Sequence, residues 1–387
     1  MIKRILGEKI QNYALQYPVV TLTGPRQSGK TTLCKMLFPD KTYFSLEDLD
    51  VRNFARNDPR GFLDQIDKNG AILDEIQKLP ELLSYIQTYA DRTNTPGQFI
   101  LTGSQNFELL NSISQTLAGR TALATLLPFS YDEIYSTTQA QPLEAMLYKG
   151  FYPRIHDKKL NPSEAYAFYV STYLDRDIRN LIHVKDLSKF ELFLKLCASR
   201  TGQILNLSSI ANDCGINHNT VKSWLSVLEA SYVIHFVRTH HKNFRKRLVK
   251  SPKLYFVDTG LACYLMDIEN PSQISSHPLK GFLFETFVVS EILKHRLNQG
   301  KKSHLSFFRD STGNEVDLIL DYGTEILPVE IKLGKTVAED FFKGLRYYLK
   351  LNPKNAKRGL VIYGGENSQK NGPFEVKSYQ QLHQILP

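Results

Sequence analysis

The sequence predicts an α/β protein in three segments, and three observations predict it. Through residues 1–135, apolar runs that read as strands alternate with helical stretches: "VVTLTG", "KTYFSL", "GAILDEI", "QFILTG" and "TALATLLPF". That alternation is the pattern of a parallel sheet covered on both faces. Residues 136–270 read as mainly helical, and residues 271–387 return to strands and helices as a smaller α/β unit. The length agrees, because 387 residues exceed one ordinary core.

The first segment opens with "MIKRILGEKIQNYALQYP", read as a short amphipathic helix with neither the apolar core nor the cleavage site of a leader. The first strand then runs into "GPRQSGKTTL". Gly24, Gly29, Lys30 and Thr31 fill the spacing G-x-x-x-x-G-K-[ST], between a β-branched strand and a helix start. The glycines let the backbone turn its N–H groups onto phosphate oxygens, and the helix N-terminus favours the anion. Gly24, Pro25, Arg26, Gln27, Ser28, Gly29, Lys30, Thr31 and Thr32 are therefore the expected nucleotide cradle of a P-loop NTPase. Lys30 would reach the β- and γ-phosphates, and the Thr31 hydroxyl would bind Mg²⁺. "GAILDEIQKLP" supplies the acidic strand end: Asp74 is placed to hold the Mg²⁺ water shell and Glu75 to activate the attacking water. After "GQFILTGSQNF", Thr102 and Ser104 are candidate γ-phosphate sensors. No N-K-x-D reads guanine, so the expected cofactors are ATP and Mg²⁺.

In the second segment, "LSSIANDCGINHNTVKSWLSVLEASYVIHFV" divides at Gly215 into two helices with helix-turn-helix spacing. "YVIHFVRTH" and "PKLYFVD" read as a following hairpin, which makes a winged helix. From Arg238 to Lys253 there are seven Lys or Arg and no Asp or Glu. Lys222, Arg245, Lys246, Arg247 and Lys250 are the expected phosphate contacts of bound DNA. The other reading of this surface is a module for a partner protein. The chain as a whole carries 48 Lys and Arg against 39 Asp and Glu, which suits a polyanionic partner.

The third segment gives "KGFLFETFVVSEILKHRL" as a helix and "SHLSFFRD", "NEVDLILDY" and "ILPVEIKLG" as successive strands. Strand period puts Glu330 and Lys332 on one face. Asp317 precedes an apolar run on the neighbouring strand, and Glu285 sits among apolar residues of the helix. These four are the expected catalytic set of a nuclease: Asp317 and Glu330 to hold Mg²⁺, Glu285 to complete the metal shell, and Lys332 to stabilise developing charge. The competing reading is a degenerate site that only binds DNA or a partner protein.

Cys34, Cys197, Cys214 and Cys263 stand far apart, with neither a metal knuckle nor a disulfide framework. A reducing, cytoplasmic setting is expected, and no apolar run approaches membrane-spanning length.

With "TGPRQSGKTTL", "LDEIQKLPELLSYI", "FILTGSQNFELL", "LAGRTALATLLPFSYDEI", "YFVDTGLACYL", "KGFLFETFVVSEI", "NEVDLIL" and "PVEIKLGK" in view, the chain resembles a bacterial and archaeal family of AAA-type P-loop ATPases. Members of that family carry a C-terminal domain of unknown function similar to PD-(D/E)xK restriction endonucleases. The resemblance runs over nearly the whole length. It implies an ATPase core, a winged helix and a restriction-endonuclease-like tail, and it marks Arg120 in the "GR" position as a nucleotide-sensing or finger arginine. Arg176 is a second candidate. The tail departs from the pattern at "EVD", which lacks the Pro of a strict P-D.

Overall fold

The computed structural model describes residues 2–104, 113, 115–136, 141–173, 186–240 and 249–382. Its first sheet has five parallel strands in the order β2-β3-β4-β1-β5. They are β1 (Val19–Thr23), β2 (Thr42–Ser45), β3 (Ala71–Asp74), β4 (Phe99–Thr102) and β5 (Thr121–Thr125). Side-chain alternation sends the central strands into two cores. Val19, Leu73, Phe99 and Leu101 pack under helices Leu49–Asn57 and Leu82–Thr93. Val20, Leu22, Ile72 and Ile100 pack under helices Leu6–Ala14 and Lys30–Leu37. The parallel order aligns the C-terminal ends of β1, β3 and β4, so Gly24, Asp74 and Thr102 meet along one edge.

A second sheet of nine strands runs in the order β13-β14-β12-β11-β10-β9-β7-β8-β6. It comprises β6 (Gln203–Ile204), β7 (Ile234–Thr239), β8 (Lys253–Phe256), β9 (Leu305–Arg309), β10 (Glu315–Asp321), β11 (Ile326–Lys332), β12 (Gly359–Tyr363), β13 (Gln369–Asn371) and β14 (Phe374–Ser378). Sequence reading separates the second and third segments at residue 270. The sheet crosses that division, because β7 pairs antiparallel with β8 through Ile234–Val237 and parallel with β9 through Arg238 and Thr239. One hydrophobic cluster likewise extends from Leu127 to Leu382. Helix Lys280–Asn298 lies at its centre and packs on both β8 and β11.

Helices Leu207–Cys214 and His218–Ala230 precede β7, with Gly215 between them at φ +61°. Asn217 caps the second helix by accepting from the Thr220 N–H at 2.7 Å. Val221, Trp224, Leu225 and Leu228 face the core, whereas His218, Asn219 and Lys222 face outward. Among the described residues, no helix is long and apolar enough to cross a membrane.

Candidate functional site

Strand β1 is fully buried and ends at Gly24. Gly24 has φ +146°, and a Cβ there would stand 2.1 Å from the Leu126 carbonyl oxygen, so no side chain fits. Gly29, at φ +90°, turns the chain into helix Lys30–Leu37. Lys30 is buried, and its Nζ donates to the carbonyls of Gly24 at 3.0 Å and Pro25 at 2.8 Å. Burial pushes the Lys30 ammonium down to about 8, against the pull of Glu75 and Asp74.

The Thr31 hydroxyl donates to the Asp74 carboxylate at 2.9 and 3.1 Å. Asp74 also accepts from Tyr43 Oη at 2.8 Å and from the Thr102 hydroxyl. Glu75 follows at φ +58°, left-handed backbone that non-glycine residues seldom adopt and that concentrates at functional sites. Burial raises the Glu75 carboxyl above the usual range, with Lys30 opposing the shift and Asp74 adding to it. Gln77 Nε2 donates to Glu75 and, at 2.9 Å, to Ser104 Oγ, so Ser104 reaches Glu75 through an amide.

A cavity of about 700 Å³ opens in front of this loop. Gln27, Lys30, Thr31, Thr32 and Glu75 form one wall, and Arg154, Lys158 and Tyr173 of the middle segment form the other. The Arg26 guanidinium lies 5.4 Å from the Tyr173 ring centroid. Below the loop, buried Arg4 donates to the Ser28 carbonyl at 2.8 Å, the Leu127 carbonyl at 2.6 Å and Glu133 at 3.1 Å. Sequence reasoning missed Tyr43, Gln77, Arg4 and Arg154. The residues present fit a nucleotide with Mg²⁺: a glycine-bounded loop, a lysine whose ammonium bonds loop carbonyls, and a hydroxyl–carboxylate pair at its edge.

Arg120 lies away from the loop of its own chain. Val19 pairs with Thr121, so Arg120 stands at the start of β5, the opposite end of the sheet from Gly24. Its guanidinium pairs with Asp91. The structure does not bring it to the phosphate loop of its own chain. Arg176, Arg245, Lys246 and Arg247 lie outside the described residues, and Lys222 and Lys250 are exposed.

The third-segment residues do come together. The Lys332 ammonium lies 2.6 Å from Glu330 Oε1, and Asp317 Oδ2 accepts the Ile331 N–H at 2.8 Å. Glu285 Oε1 accepts from Tyr255 Oη at 2.6 Å and from Lys253 Nζ at 2.9 Å. Lys253 also lies 2.6 Å from Glu315 and 3.6 Å from Asp317. Burial lowers the Lys253 pKa, but Glu285, Tyr255, Asp317 and Glu315 outweigh it, and the ammonium is held charged well above the usual lysine range. Burial raises the Glu285 and Glu330 carboxyls, with Asp317 adding to both. These carboxylates do not fit a divalent metal as they stand, because the Lys253 ammonium pairs with Glu285, Glu315 and Asp317. Among the described residues, no group of three or more His, Cys, Asp or Glu is arranged to hold a metal ion.

Comparison with known proteins covers all three segments. Residues 16–135 match the AAA domain family. Residues 140–272 and 280–382 each match a domain of unknown function, DUF8612 and DUF4143 respectively. Uncharacterized proteins of Mycobacterium bovis and Mycobacterium tuberculosis are each 28% identical over 370 residues, spanning 94% of this chain and 80% of their own length. Among solved structures, the chain is similar to a Walker-type ATPase of Pyrococcus abyssi, with 14% identity and a TM-score of 0.45 over 68% of this chain and 96% of that one. It is also similar to AMPPCP-bound DnaA of Aquifex aeolicus, with 15% identity and a TM-score of 0.30 over 58% of this chain and 86% of that one. The family match and the loop geometry together support an AAA-type P-loop ATPase in residues 16–135.

Proposed function

We propose that the chain is a cytoplasmic protein that binds ATP with Mg²⁺, hydrolyses it, and engages DNA through its middle segment. The observation that carries the ATPase reading is Lys30, whose ammonium, among the described residues, bonds loop carbonyls at the rim of a cavity lined by Thr31 and Glu75. On binding, Lys30 exchanges two neutral acceptors for phosphate oxygens, a charge-assisted gain. Thr31 and Asp74 would hold Mg²⁺, which neutralises charge on the β- and γ-phosphates. Glu75 accepts the proton of the attacking water, and its raised pKa suits a base working near neutrality. Gln77, fixed by Ser104, orients the Glu75 carboxylate.

In this reading the middle segment is a winged helix-turn-helix. It rests on the outward-facing His218, Asn219 and Lys222 of the second helix and on the basic run that follows. The tail is a nuclease-like fold used for binding only. Lys253 favours this over metal-dependent cleavage, because its ammonium already pairs with Glu285, Glu315 and Asp317. Purified protein tests both parts. ATP hydrolysis that responds to DNA, with plasmid left intact in Mg²⁺ and Mn²⁺, is the expected result. Nicking that disappears in Asp317→Ala would restore the nuclease, and ATPase activity indifferent to DNA would favour a partner protein on the basic surface.

A further inference from the structure

We infer that Lys253 is the resident cation of the C-terminal carboxylate cluster, and that the cluster becomes a divalent-cation site only when this ammonium is removed. The inference deepens the binding-only reading of the tail and is independent of ATP hydrolysis.

In the sequence Lys253 closes the run of seven Lys or Arg that begins at Arg238, and it is not among the expected phosphate contacts. In the fold its side chain is almost completely buried. It starts β8 and shares a face with Tyr255, two residues on, and both side chains reach Glu285 on helix Lys280–Asn298. An ammonium has three donors and no acceptor. Three carboxylates from two elements surround this one: Glu285 at 2.9 Å, Glu315 at 2.6 Å and Asp317 at 3.6 Å. A buried lysine with that many acids around it acts as the cluster's central cation.

Two further features close the cluster to a metal. Charge is the first. Glu285, Glu315, Asp317 and Glu330 are met by Lys253, Lys332 and Arg309, the last 2.9 Å from Glu315. A divalent ion would add two positive charges beside an ammonium that is already compensated, at a separation where repulsion is large. Coordination is the second. Asp317 Oδ2 is taken by the Ile331 N–H, Glu330 Oε1 by Lys332, and Glu285 Oε1 by two donors. Glu330 Oε2 is a buried oxygen with no hydrogen-bond partner. With Asp317 Oδ2, Glu330 Oε1 and Glu285 Oε1 engaged, fewer carboxylate ligands are left for a hard divalent cation.

Removing the ammonium changes both terms. Glu285 loses a donor, and Glu315 and Asp317 lose an ion-pair partner. The cluster's four carboxylates would then face two cations, Lys332 and Arg309, instead of three, which favours a Mg²⁺ or Mn²⁺ ion. Lys253 belongs to the hairpin that β7 joins to the C-terminal sheet, so metal binding and this ion-paired packing are alternatives.

The test is calorimetric titration of Mn²⁺ into the nucleotide-free full chain, with thermal melting in parallel. Wild type and Asp317→Asn should titrate alike, showing no site that depends on Asp317. Lys253→Ala should gain a single Mn²⁺ site, about tenfold tighter or more than any binding by wild type, with a melting temperature that Mn²⁺ raises. Lys253→Ala/Asp317→Asn should lose both effects. If Lys253→Ala does not fold, Lys253→Met removes the same charge without leaving a void. Mn²⁺ binding by wild type that Asp317→Asn abolishes would overturn the inference, and so would a folded Lys253→Ala or Lys253→Met that gains no site. The wild-type comparison decides even if neither lysine variant folds. An ATPase rate of zero would sink the ATPase reading and leave these outcomes standing.

Discussion

Two buried lysines beside acidic strand ends behave in opposite ways. Among the described residues Lys30 bonds the carbonyls of its own loop, and burial pushes its pKa down to about 8. Lys253 is ringed by carboxylates, and its pKa is raised. The acids near Lys30 are otherwise engaged: Asp74 accepts from Thr31, Tyr43 and Thr102, and Glu75 from Gln77. A lysine kept from its acids is available to a phosphate. One saturated by them is committed to the fold, and it commits the acids as well.

The contrast breaks most readily on stability. Lys253→Met should destabilise the chain by about 3–5 kcal/mol at neutral pH, because it strands buried carboxylates. Denaturant melts measure this, and an unchanged midpoint would mean that Lys253 compensates nothing. Lys30→Ala should leave stability unchanged or raise it, while nucleotide affinity falls roughly 10- to 100-fold from the loss of a charge-assisted donor. A large loss of stability in Lys30→Ala would erase the difference between the two sites.

Acidity sharpens the same contrast. A phosphate keeps the proton on Lys30, so the free protein must be protonated there to bind. ATP affinity should be flat below pH 8 and fall about tenfold per unit above it. A flat profile to pH 10 would contradict the lowered pKa. Lys253 has the opposite sign. The raised folded pKa gives stability that is fully present below the ordinary lysine value and is lost only as pH rises through the folded pKa in strong alkali. The smallest effect concerns the surface. Replacing Arg245, Lys246 and Arg247 with Ala should flatten the salt dependence of DNA binding by about one unit of slope per lost contact. An unchanged slope would assign that run to a partner protein.

The two sites were unequally legible in the sequence. The phosphate loop is written in eight consecutive positions, and the strand ends at Asp74 and Thr102 follow from the parallel alternation. What completes it comes from elsewhere. Tyr43 reaches Asp74 because β2 lies beside β3, a neighbour relation that no local pattern records. Arg4 lies in a stretch whose only signal is amphipathic, and Arg120 stands at the end of its strand away from the loop. In the tail, Glu285, Asp317, Glu330 and Lys332 were legible as types on elements, and they do converge. Lys253 was hidden by its company, since a basic run reads as solvated surface. The clue was the alternation in "PKLYFVD", which puts Lys253 and Tyr255 on one face of a strand. The division at residue 270 also concealed it, because β7 carries the hairpin into the sheet of the following segment.

The most direct test of the open phosphate site compares ATP binding and steady-state hydrolysis in wild type and Glu75→Gln. Wild type should bind and hydrolyse ATP. Glu75→Gln should bind it with similar affinity and turn it over about 100- to 10,000-fold more slowly, the range for a lost general base. Normal turnover in Glu75→Gln, or no ATP binding by wild type, would contradict the account.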